Sequence, residues 1–377
     1  MLNLTATAAF GLEAVVKREA ASLGFKDIAV SDGRIDFTGG VEAIAKANIH
    51  LRSADRVLLR VGEFSASSFD ELFENTNKLP WEHWITRDGK FTVTAKSVRS
   101  ALFSVPDVQS IVKKAVVEAL KRKYSANWFT EDGPEYTIQA SLLKDVAALT
   151  IDTTGAGRGL HKRGYRPKAL TAPLKETLAS ALIALSYWKP GRIFLDPVCG
   201  SGTLAIEAAM IAANIAPGLT RNFASEGWPQ IEGRVWKDAR AAAYAMINTA
   251  AEPLFFASDI DSDAIGLARV CADKAGVGEY IRFETRALKD LILPGDYGVA
   301  IANPPYGERL GSVKEVEQLY AEMGRVFKNN TWSVYVLTAD EFFESSFGRK
   351  ADAKRKLFNG MIKADYYQFH GKRPEKP

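Results

Sequence analysis

The chain has 377 residues, of which 47% are apolar and 25% are charged, and its formal net charge at neutral pH is +4. This length and composition predict a globular protein of two or three domains and exclude a disordered or fibrous chain. No run of about eighteen apolar residues is present, and the first residues lack a basic stretch followed by an apolar run, so we expect a cytoplasmic protein. Two cysteines, Cys199 and Cys271, and four scattered histidines predict neither a disulfide framework nor a metal site.

The first part of the chain alternates the sequence patterns of helices and strands. Residues 11–24 follow a helical period, and two strand patterns then flank the turn at Ser31–Gly33. A second helical segment follows, so we predict a small α+β unit over residues 1–60. Residues 61–154 carry strand patterns around a long amphipathic helix with Pro106 near its start, which predicts a second α+β unit.

Positive charge is concentrated in two segments. Residues 96–124 contain seven Lys or Arg residues against two acids, and residues 153–175 contain no acid. Charge runs of this kind are as often a solvated face as a surface that binds phosphates. Glycines and an aromatic residue interrupt the second run, which favours binding, and we predict that residues 155–168 form a basic connector between domains.

Residues 169–377 alternate buried strands with amphipathic helices. This alternation predicts an α/β fold with a Rossmann-like, doubly wound sheet. The long spacing between its first two strands implies an insertion over about residues 213–250. A closing antiparallel hairpin is predicted around the turn Asn359–Gly360.

The first strand of this domain runs through the sequence DPVCGSGT, residues 196–203, into a helix. In a doubly wound sheet this place binds the ligand, and Gly200 and Gly202 let the backbone approach it closely. The turn is not a phosphate loop, which needs a Lys-Ser/Thr pair, and it is not the dinucleotide fingerprint, because Ala205 replaces the third glycine. Asp196 suits the positive end of a zwitterionic ligand, although such a turn alone is as often ordinary strand-to-helix geometry.

Two further motifs fall at the ends of later strands. The second strand ends in SDID, where Asp259 is placed to accept both hydroxyls of a ribose and Asp261 to cap the next helix. A later strand runs into NPPY, whose two prolines leave carbonyls that can only accept hydrogen bonds. Asn303 and the carbonyl of Pro304 are therefore placed to accept from the exocyclic amine of a base, while Tyr306 stacks on its ring. A plain proline turn is the alternative, and the position of the turn at the ligand edge argues against it.

Taken in order, DPVCGSGT, SDID and NPPY resemble the motifs of S-adenosylmethionine-dependent amino-methyltransferases. The segment KRGYRPKALTAPLKETLASALI and the two N-terminal units extend the resemblance, over essentially the whole chain, to THUMP-containing RNA guanine-N2 methyltransferases. Bacterial members of that family are often labelled N6-adenine-specific DNA methylases. The resemblance implies a ferredoxin-like unit, a THUMP domain that binds RNA, and a Rossmann-like domain that binds S-adenosylmethionine.

The resemblance also implies roles for individual residues. Those expected to bind S-adenosylmethionine are Asp196, Pro197, Cys199, Gly200, Gly202, Thr203, Asp259, Ile260 and Asp290. The catalytic residues expected at the target base are Asn303, Pro304, Pro305 and Tyr306. The basic residues expected to contact RNA are Lys96, Arg99, Lys113, Lys114, Arg158, Lys162, Arg163 and Arg166. Trp128 and Phe129 are expected in the core, and Glu207 is expected to support the glycine turn.

These expectations predict methyl transfer to N2 of a guanine in 23S ribosomal RNA, with structured RNA as the partner and with neither a metal nor a membrane. Three alternatives stay open: N6-adenine methylation of RNA or DNA, N2-guanine methylation of transfer RNA, and an inactive RNA-binding assembly factor. The RNA-binding N-terminal half argues against DNA. The intact cofactor and target motifs argue against an inactive protein.

Overall fold

The structure, a computed structural model, describes residues 1–167, 174–305, 313–328 and 331–373. The chain divides into two compact units, and neither is a single continuous segment. The first unit consists of Met1–Ala8, Val16–Leu160 and Arg221–Ala242. The described residues of the second unit fall within Ala9–Val15, His161–Thr220 and Ala243–Pro377.

The first unit is built on one seven-stranded sheet in the order β2-β3-β1-β4-β7-β6-β5. Its strands are β1 (Leu2–Thr7), β2 (Lys26–Ser31), β3 (Arg34–Gly39), β4 (Arg56–Ser65), β5 (Lys90–Val98), β6 (Glu135–Leu143) and β7 (Val146–Asp152). The helices of this part of the chain are α1 (Glu13–Ser22), α2 (Glu42–His50), α3 (Phe69–Asn77) and α4 (Val105–Tyr124). Pro106 lies in the first turn of α4, as predicted, where its missing N–H costs nothing.

Strand β4 joins the two predicted N-terminal units into one sheet. Its first residues pair with β1, and the strand then continues antiparallel to β7 as far as Ser65, with a register shift between Arg60 and Gly62. The predicted boundary between residues 60 and 61 therefore lies inside a strand. The interior strand β1 was not predicted, and it pairs with both β3 and β4.

Part of the predicted insertion belongs to the first unit. The ring of Trp228 stacks on Tyr136 with 5.1 Å between ring centroids, and its indole N–H donates to the Glu135 carbonyl at 3.1 Å. The amide of Ser225 donates to the carbonyl of Thr153. Because Trp228 is buried, this segment supplies core to the first unit although it comes from the C-terminal half of the sequence.

The second unit contains the predicted α/β sheet, in the order β10-β9-β8-β11-β12-β14-β13. Its strands are β8 (Phe194–Asp196), β9 (Phe255–Asp259), β10 (Ile281–Thr285), β11 (Val299–Ala302), β12 (Ser333–Thr338), β13 (Ala353–Asn359) and β14 (Ile362–Phe369). The helices of the C-terminal half are α5 (Glu176–Leu185), α6 (Thr203–Ala212), α7 (Gly233–Ala245), α8 (Ser262–Lys274), α9 (Val313–Val326) and α10 (Phe343–Phe347). The closing hairpin is confirmed, since Asn359 pairs with Ile362 across the turn.

Strand order and direction fix where a ligand can bind in this sheet. Strands β8 to β12 are mutually parallel, and β14 runs antiparallel to β12. The order reverses at β8, which lies between β9 and β11, so the carboxyl ends of these three strands meet at one edge. The predicted fold, a Rossmann-like sheet with an N-terminal α+β region, is confirmed. Among the described residues, no helix is long and apolar enough to cross a membrane.

Candidate active site

The carboxyl ends of β8, β9 and β11 surround a cavity of about 520 Å³. The predicted site residues that line it are Pro197, Gly200, Asp259, Ile260, Asn303, Pro304 and Pro305. The glycine loop and the proline turn are thus brought to one cavity. Tyr306, the fourth predicted catalytic residue, lies outside the described residues.

The glycine loop depends on two left-handed backbone conformations, with φ of +51° at Gly200 and +76° at Gly202. A Cβ at Gly202 would lie 3.0 Å from Ala268 Cβ and 3.2 Å from the ring of Phe283, so a side chain there would crowd both neighbours and would also strain the backbone. Gly202 is also the N-cap of α6 and supplies no side-chain cap. The first-turn amides of α6 therefore lack the usual side-chain acceptor.

Asp259 ties the glycine loop to the end of β9. Its Oδ2 accepts from the amide of Gly200 at 2.8 Å, and its Oδ1 accepts from the amide of Asp261 at 3.1 Å. The amide of Cys199 donates to the carbonyl of Ser258 at 2.9 Å, which adds a second link. The predicted N-cap role of Asp261 is confirmed, because its carboxylate accepts from the amide of Asp263.

Asp196 is a buried acid at the end of β8. The residue is 1% exposed, a backbone hydrogen bond from Val198 partly stabilises its carboxylate, and Oδ1 has no hydrogen-bond partner among the described residues. Burial, followed by the charge of Asp259, raises the pKa of Asp196 well above its usual value. A cation beside Asp196 would relieve both effects, since it stabilises the ionised carboxylate.

The target end of the cavity is formed by the residues after β11. Asn303 Oδ1 is buried and also has no hydrogen-bond partner among the described residues. Pro304 and Pro305 follow it and donate no amide hydrogen. A buried amide oxygen without a donor lowers the stability of a folded protein. This atom is therefore a candidate hydrogen-bond acceptor for a ligand.

An apolar wall and a helix face complete the cavity. Ile260 is 75% exposed although it lines the cavity, and the lining also includes Leu288, which is buried. A planar ring between such side chains would cover apolar surface. The loop after β10 contributes Arg286, Ala287, Leu288 and Lys289 to the described lining but not Asp290, which is exposed.

Sequence reasoning missed one side of this cavity, which helix α9 provides. The cavity residues of α9 are Glu315, Gln318, Leu319 and Glu322. Gln318 Nε2 donates to Glu322 Oε1 at 3.1 Å. The sequence did contain a signal for this helix, because these four positions have the spacing of one helix face and come shortly after NPPY. The sequence analysis assigned this helix no role in the site.

Two predicted RNA contacts are wrong, and the first is Arg163. Its guanidinium is buried and makes two hydrogen bonds to the carboxylate of Glu207, at 3.3 and 3.4 Å. The hydroxyls of Tyr165 and Ser180 donate to the same carboxylate. Charge from Glu207, acting against the desolvation of burial, raises the pKa of Arg163. This arginine holds α6 from inside the second unit and is not available to phosphates.

Arg166 is the second correction. Its side chain is 8% exposed, its Nη2 donates to Thr203 Oγ1, and its Nε lies 3.6 Å from Glu176 Oε1. The other predicted RNA residues lie at the surface: Lys96, Arg99, Lys113, Lys114, Arg158 and Lys162. Trp128 corrects a further expectation, because it is 83% exposed and not part of the core.

A doubly wound sheet that opens into such a cavity at its switch point is the architecture of nucleotide-cofactor enzymes. Comparison with family models narrows this class. Residues 163–368 match the model described as "RMKL-like, methyltransferase domain". Residues 3–58 match an "RlmL ferredoxin-like domain", and residues 66–152 match a "THUMP domain". The chain therefore belongs to the RMKL-like methyltransferase family.

Individual relatives agree over nearly the whole chain. The Bacillus subtilis protein named "Putative RNA methyltransferase YpsC" is 51% identical over 99% of this chain and 97% of its own. A crystal structure described as "a predicted N6-adenine-specific DNA methylase from Listeria monocytogenes" is 50% identical, covers 98% of this chain and 96% of its own, and has a TM-score of 0.94. "SMU.472, a putative methyltransferase complexed with SAH" is 46% identical over 99% of both chains, with a TM-score of 0.92.

The protein is a methyltransferase, and its cofactor is S-adenosylmethionine, as predicted. The described residues fit this molecule. Its sulfonium and ammonium groups would suit Oδ1 of Asp196, its ribose hydroxyls would suit Asp259, and its adenine would suit the exposed Ile260. These individual contacts are inferences from chemistry and position.

The substitution Asp196→Asn tests whether the buried carboxyl lowers the stability of the folded protein. A carboxyl whose pKa is raised by folding stabilises the protein fully below its unfolded pKa of about 3.9, and this contribution is lost as pH rises through the folded pKa. Folding therefore disfavours the ionised carboxylate, which is buried and whose Oδ1 has no hydrogen-bond partner among the described residues. We therefore expect the free energy of unfolding of the variant to exceed that of the wild type by about 1–3 kcal/mol near pH 7. The difference should be smaller at acidic pH.

Urea unfolding at both pH values measures the effect, and titration with S-adenosylhomocysteine measures its cost to binding. The same variant should bind S-adenosylhomocysteine at least about tenfold more weakly, because the ammonium loses its counter-charge. A variant that is less stable at neutral pH and binds the ligand as tightly as the wild type would contradict the assignment.

The substitution Arg163→Met tests the buried pair under α6. Removing the guanidinium leaves the Glu207 carboxylate buried with only hydroxyl donors, and we expect the free energy of unfolding to fall by about 3–5 kcal/mol. The matched variant Arg163→Met/Glu207→Gln removes the stranded charge and should recover a large part of that loss. Urea unfolding of both variants measures the two losses. Equal destabilisation of the two variants would show that the stranded Glu207 charge is not the cause.

Proposed function

We propose that this methyltransferase modifies an exocyclic amine of RNA, specifically N2 of a guanine in 23S ribosomal RNA. The unpartnered Oδ1 of Asn303 at the cofactor cavity carries the proposal, because an amide oxygen in that place selects an amino group as its ligand. RNA as the substrate is supported by the name of the Bacillus subtilis relative and by the match to a THUMP domain.

The chain's own residues orient the nucleophile. Asn303 Oδ1 and the carbonyl of Pro304 accept the two amino hydrogens, which aims the nitrogen lone pair into the cavity. Bound S-adenosylmethionine supplies an electrophilic methyl group on a sulfonium sulfur. Transfer of that methyl group to the aligned nitrogen would leave the carbon–sulfur electrons on sulfur, and one amino proton would pass to water. Tyr306 stacks on the base in this proposal.

RNA beyond the target base is held by exposed cations. The surface residues that we propose for this role are Lys96, Arg99, Lys113, Lys114, Arg158 and Lys162. Contacts of this type neutralise phosphates and read the shape of the backbone, so they give affinity and little base specificity. In this proposal each predicted domain has its own role. The domains are the ferredoxin-like unit of residues 1–60, the THUMP domain of residues 61–154, the basic connector of residues 155–168 and the catalytic domain of residues 169–377.

N6-adenine methylation is the second candidate. One observation favours it, namely the description of the Listeria relative as an N6-adenine-specific DNA methylase. Two carbonyl acceptors bind the amino group of adenine as readily as that of guanine, so the proline turn alone does not choose between them. Guanine N2 in transfer RNA satisfies the same chemistry.

Replacing Asn303 with alanine separates orientation of the amine from cofactor binding. The variant Asn303→Ala should lower the transfer rate by about a hundredfold or more, because one of two aligning acceptors is lost. Its dissociation constant for S-adenosylhomocysteine should stay within about twofold of the wild-type value. Asn248→Ala, an exposed asparagine of the same unit, serves as the control and should change neither quantity.

The measurements for this pair are single-turnover transfer to RNA and calorimetric titration of the ligand. A loss of cofactor affinity in Asn303→Ala as large as its loss of rate would overturn the assigned role.

The product identifies the base. Ribosomal RNA from cells that lack this protein is incubated with the purified enzyme and isotopically labelled S-adenosylmethionine, and the digested nucleosides are separated by mass spectrometry. We expect label in N2-methylguanosine of the 23S species. Label in N6-methyladenosine would establish the second candidate, and label confined to transfer RNA would move the substrate while leaving the chemistry intact.

A further inference from the structure

The hairpin of β13 and β14 extends past the edge of the sheet at which the cofactor cavity opens. Strand β12 pairs in parallel with β11 and ends at Thr338, which lies opposite Asp365 of β14. Since β14 runs antiparallel to β12, the residues before Asp365 continue beyond this edge, and Ile362 lies about 10 Å further out. The turn of the hairpin therefore projects from the same edge as the proline turn at Asn303.

The hairpin also belongs to a third basic segment of the chain. Residues 349–363 contain six Lys or Arg residues and one acid, Asp352. Arg349 pairs with Asp352, and Lys354 pairs with Glu344. The other four cations of the segment have no carboxylate within ion-pair distance among the described residues, so the hairpin carries uncompensated positive charge.

Two of these cations share a face of the hairpin with an aromatic side chain. Lys356 and Phe358 are two residues apart on β13, and Phe358 lies opposite Lys363 on β14. Side chains two residues apart on a strand, and side chains of directly paired residues, point to the same face of a sheet. Both lysines are exposed. Their ammonium groups are therefore placed on one face, on either side of Phe358.

Phe10 adds an exposed aromatic ring beside this face. Its ring packs on Phe358 in an edge-to-face arrangement, with 6.0 Å between ring centroids and 79° between ring planes. Phe10 is nevertheless 58% exposed, and Met361, in the turn of the hairpin, is 97% exposed. The contact with Phe358 thus restrains a ring of which more than half stays open to solvent.

Nucleic acid has the chemistry that fits this surface. Nucleobases stack on exposed aromatic rings, and phosphates pair with lysine ammonium groups. Strand β14 lies two strands away from β11, so the hairpin is displaced by roughly 10 Å from the proline turn along the sheet. With a rise of about 3.4 Å per stacked nucleotide, this displacement corresponds to a few nucleotides.

We propose that this hairpin surface, consisting of Phe10, Lys356, Phe358, Met361 and Lys363, binds the RNA strand next to the target nucleotide. A neighbouring base stacks on Phe10, Met361 covers part of that base, and the two lysines neutralise phosphates. The identity of the partner rests on the proposed function. The inference adds a contact made by the catalytic unit itself to the RNA contacts of the cations proposed above.

Stacking is tested by replacing Phe10 in the full-length protein. Filter binding of transcribed 23S ribosomal RNA at several salt concentrations should show that Phe10→Ala binds about tenfold more weakly than the wild type, with the same salt dependence. Phe10→Trp keeps a stacking face and should bind within about twofold of the wild type. Tyr244→Ala is the matched control, since Tyr244 is 54% exposed in the same unit, and it should bind as the wild type does.

The phosphate contacts are tested by the double variant Lys356→Ala/Lys363→Ala. It should bind this RNA more weakly and should lower the magnitude of the slope of log affinity against log salt by about 1.5, because two ion pairs with phosphates are lost. The control Lys189→Ala/Lys328→Ala removes the same charge from exposed positions before β8 and β12, at the opposite edge of the sheet, and should change neither quantity. The melting temperature and the affinity for S-adenosylhomocysteine should stay at wild-type values in both double variants.

An unchanged RNA affinity in Phe10→Ala, or an unchanged slope in Lys356→Ala/Lys363→Ala, would overturn the inference. A wild-type dimer that Phe10→Ala dissociates without loss of RNA affinity would also overturn it and would assign the surface to a second copy of the chain. Failure of the proposed function has a different signature, in which the wild type binds the RNA but transfers no methyl group to it. Weaker RNA binding by the hairpin variants would support the inference even then, whereas a wild type that binds no RNA would overturn both.

Discussion

Two buried acceptors without partners, Asp196 Oδ1 and Asn303 Oδ1, define this active site. They follow or end neighbouring parallel strands, β8 and β11, at the point where the order of the sheet reverses. A folded chain normally pairs such groups, because desolvation without a hydrogen bond costs free energy. In the proposal the ligands complete the pairing, with a cation beside Asp196 and an amino group beside Asn303. Ligand binding would therefore gain free energy at both of these acceptors.

Helix α6 makes that arrangement rigid. Its N-terminus carries the glycine loop, and four residues further on the carboxylate of Glu207 accepts from Arg163, Tyr165 and Ser180. This network is fully buried, so the position of the helix is fixed by charge pairing as well as by apolar packing. Residues at the start of the second unit therefore support the cofactor loop from inside, although their sequence has the appearance of a basic surface.

Local patterns were sufficient for the sheet that holds the site. The motifs DPVCGSGT, SDID and NPPY each follow a buried strand, and parallel strands bring such ends to one edge, so their meeting at one cavity was predictable. Strand β1 was missed because its six residues, LNLTAT, carry no turn signal before them and are fixed by pairing with β3 and β4. The membership of residues 221–242 in the first unit depends on contacts made by Trp228 with residues far away in the sequence.

The errors at the site have one cause. Composition reports that Arg163 and Arg166 are charged but not which acids surround them, and their partners Glu207 and Thr203 lie about forty residues further along the chain. A basic run is therefore ambiguous until the fold is known. Asp290, which the resemblance assigned to the cofactor, is exposed and follows Arg286 to Lys289, which line the cavity.

The central claim is that Asp196 takes up the cofactor's cation, and proton release on binding tests it most directly. A cation beside Asp196 lowers the raised pKa of its carboxyl, so binding releases protons at any pH at which the free carboxyl is protonated. Titration of S-adenosylhomocysteine in buffers of different ionisation enthalpy, between about pH 5 and 8, counts those protons. The account predicts net release at the acidic end of this range that disappears in Asp196→Asn. Proton uptake by the wild type, or release that survives in the variant, would contradict it.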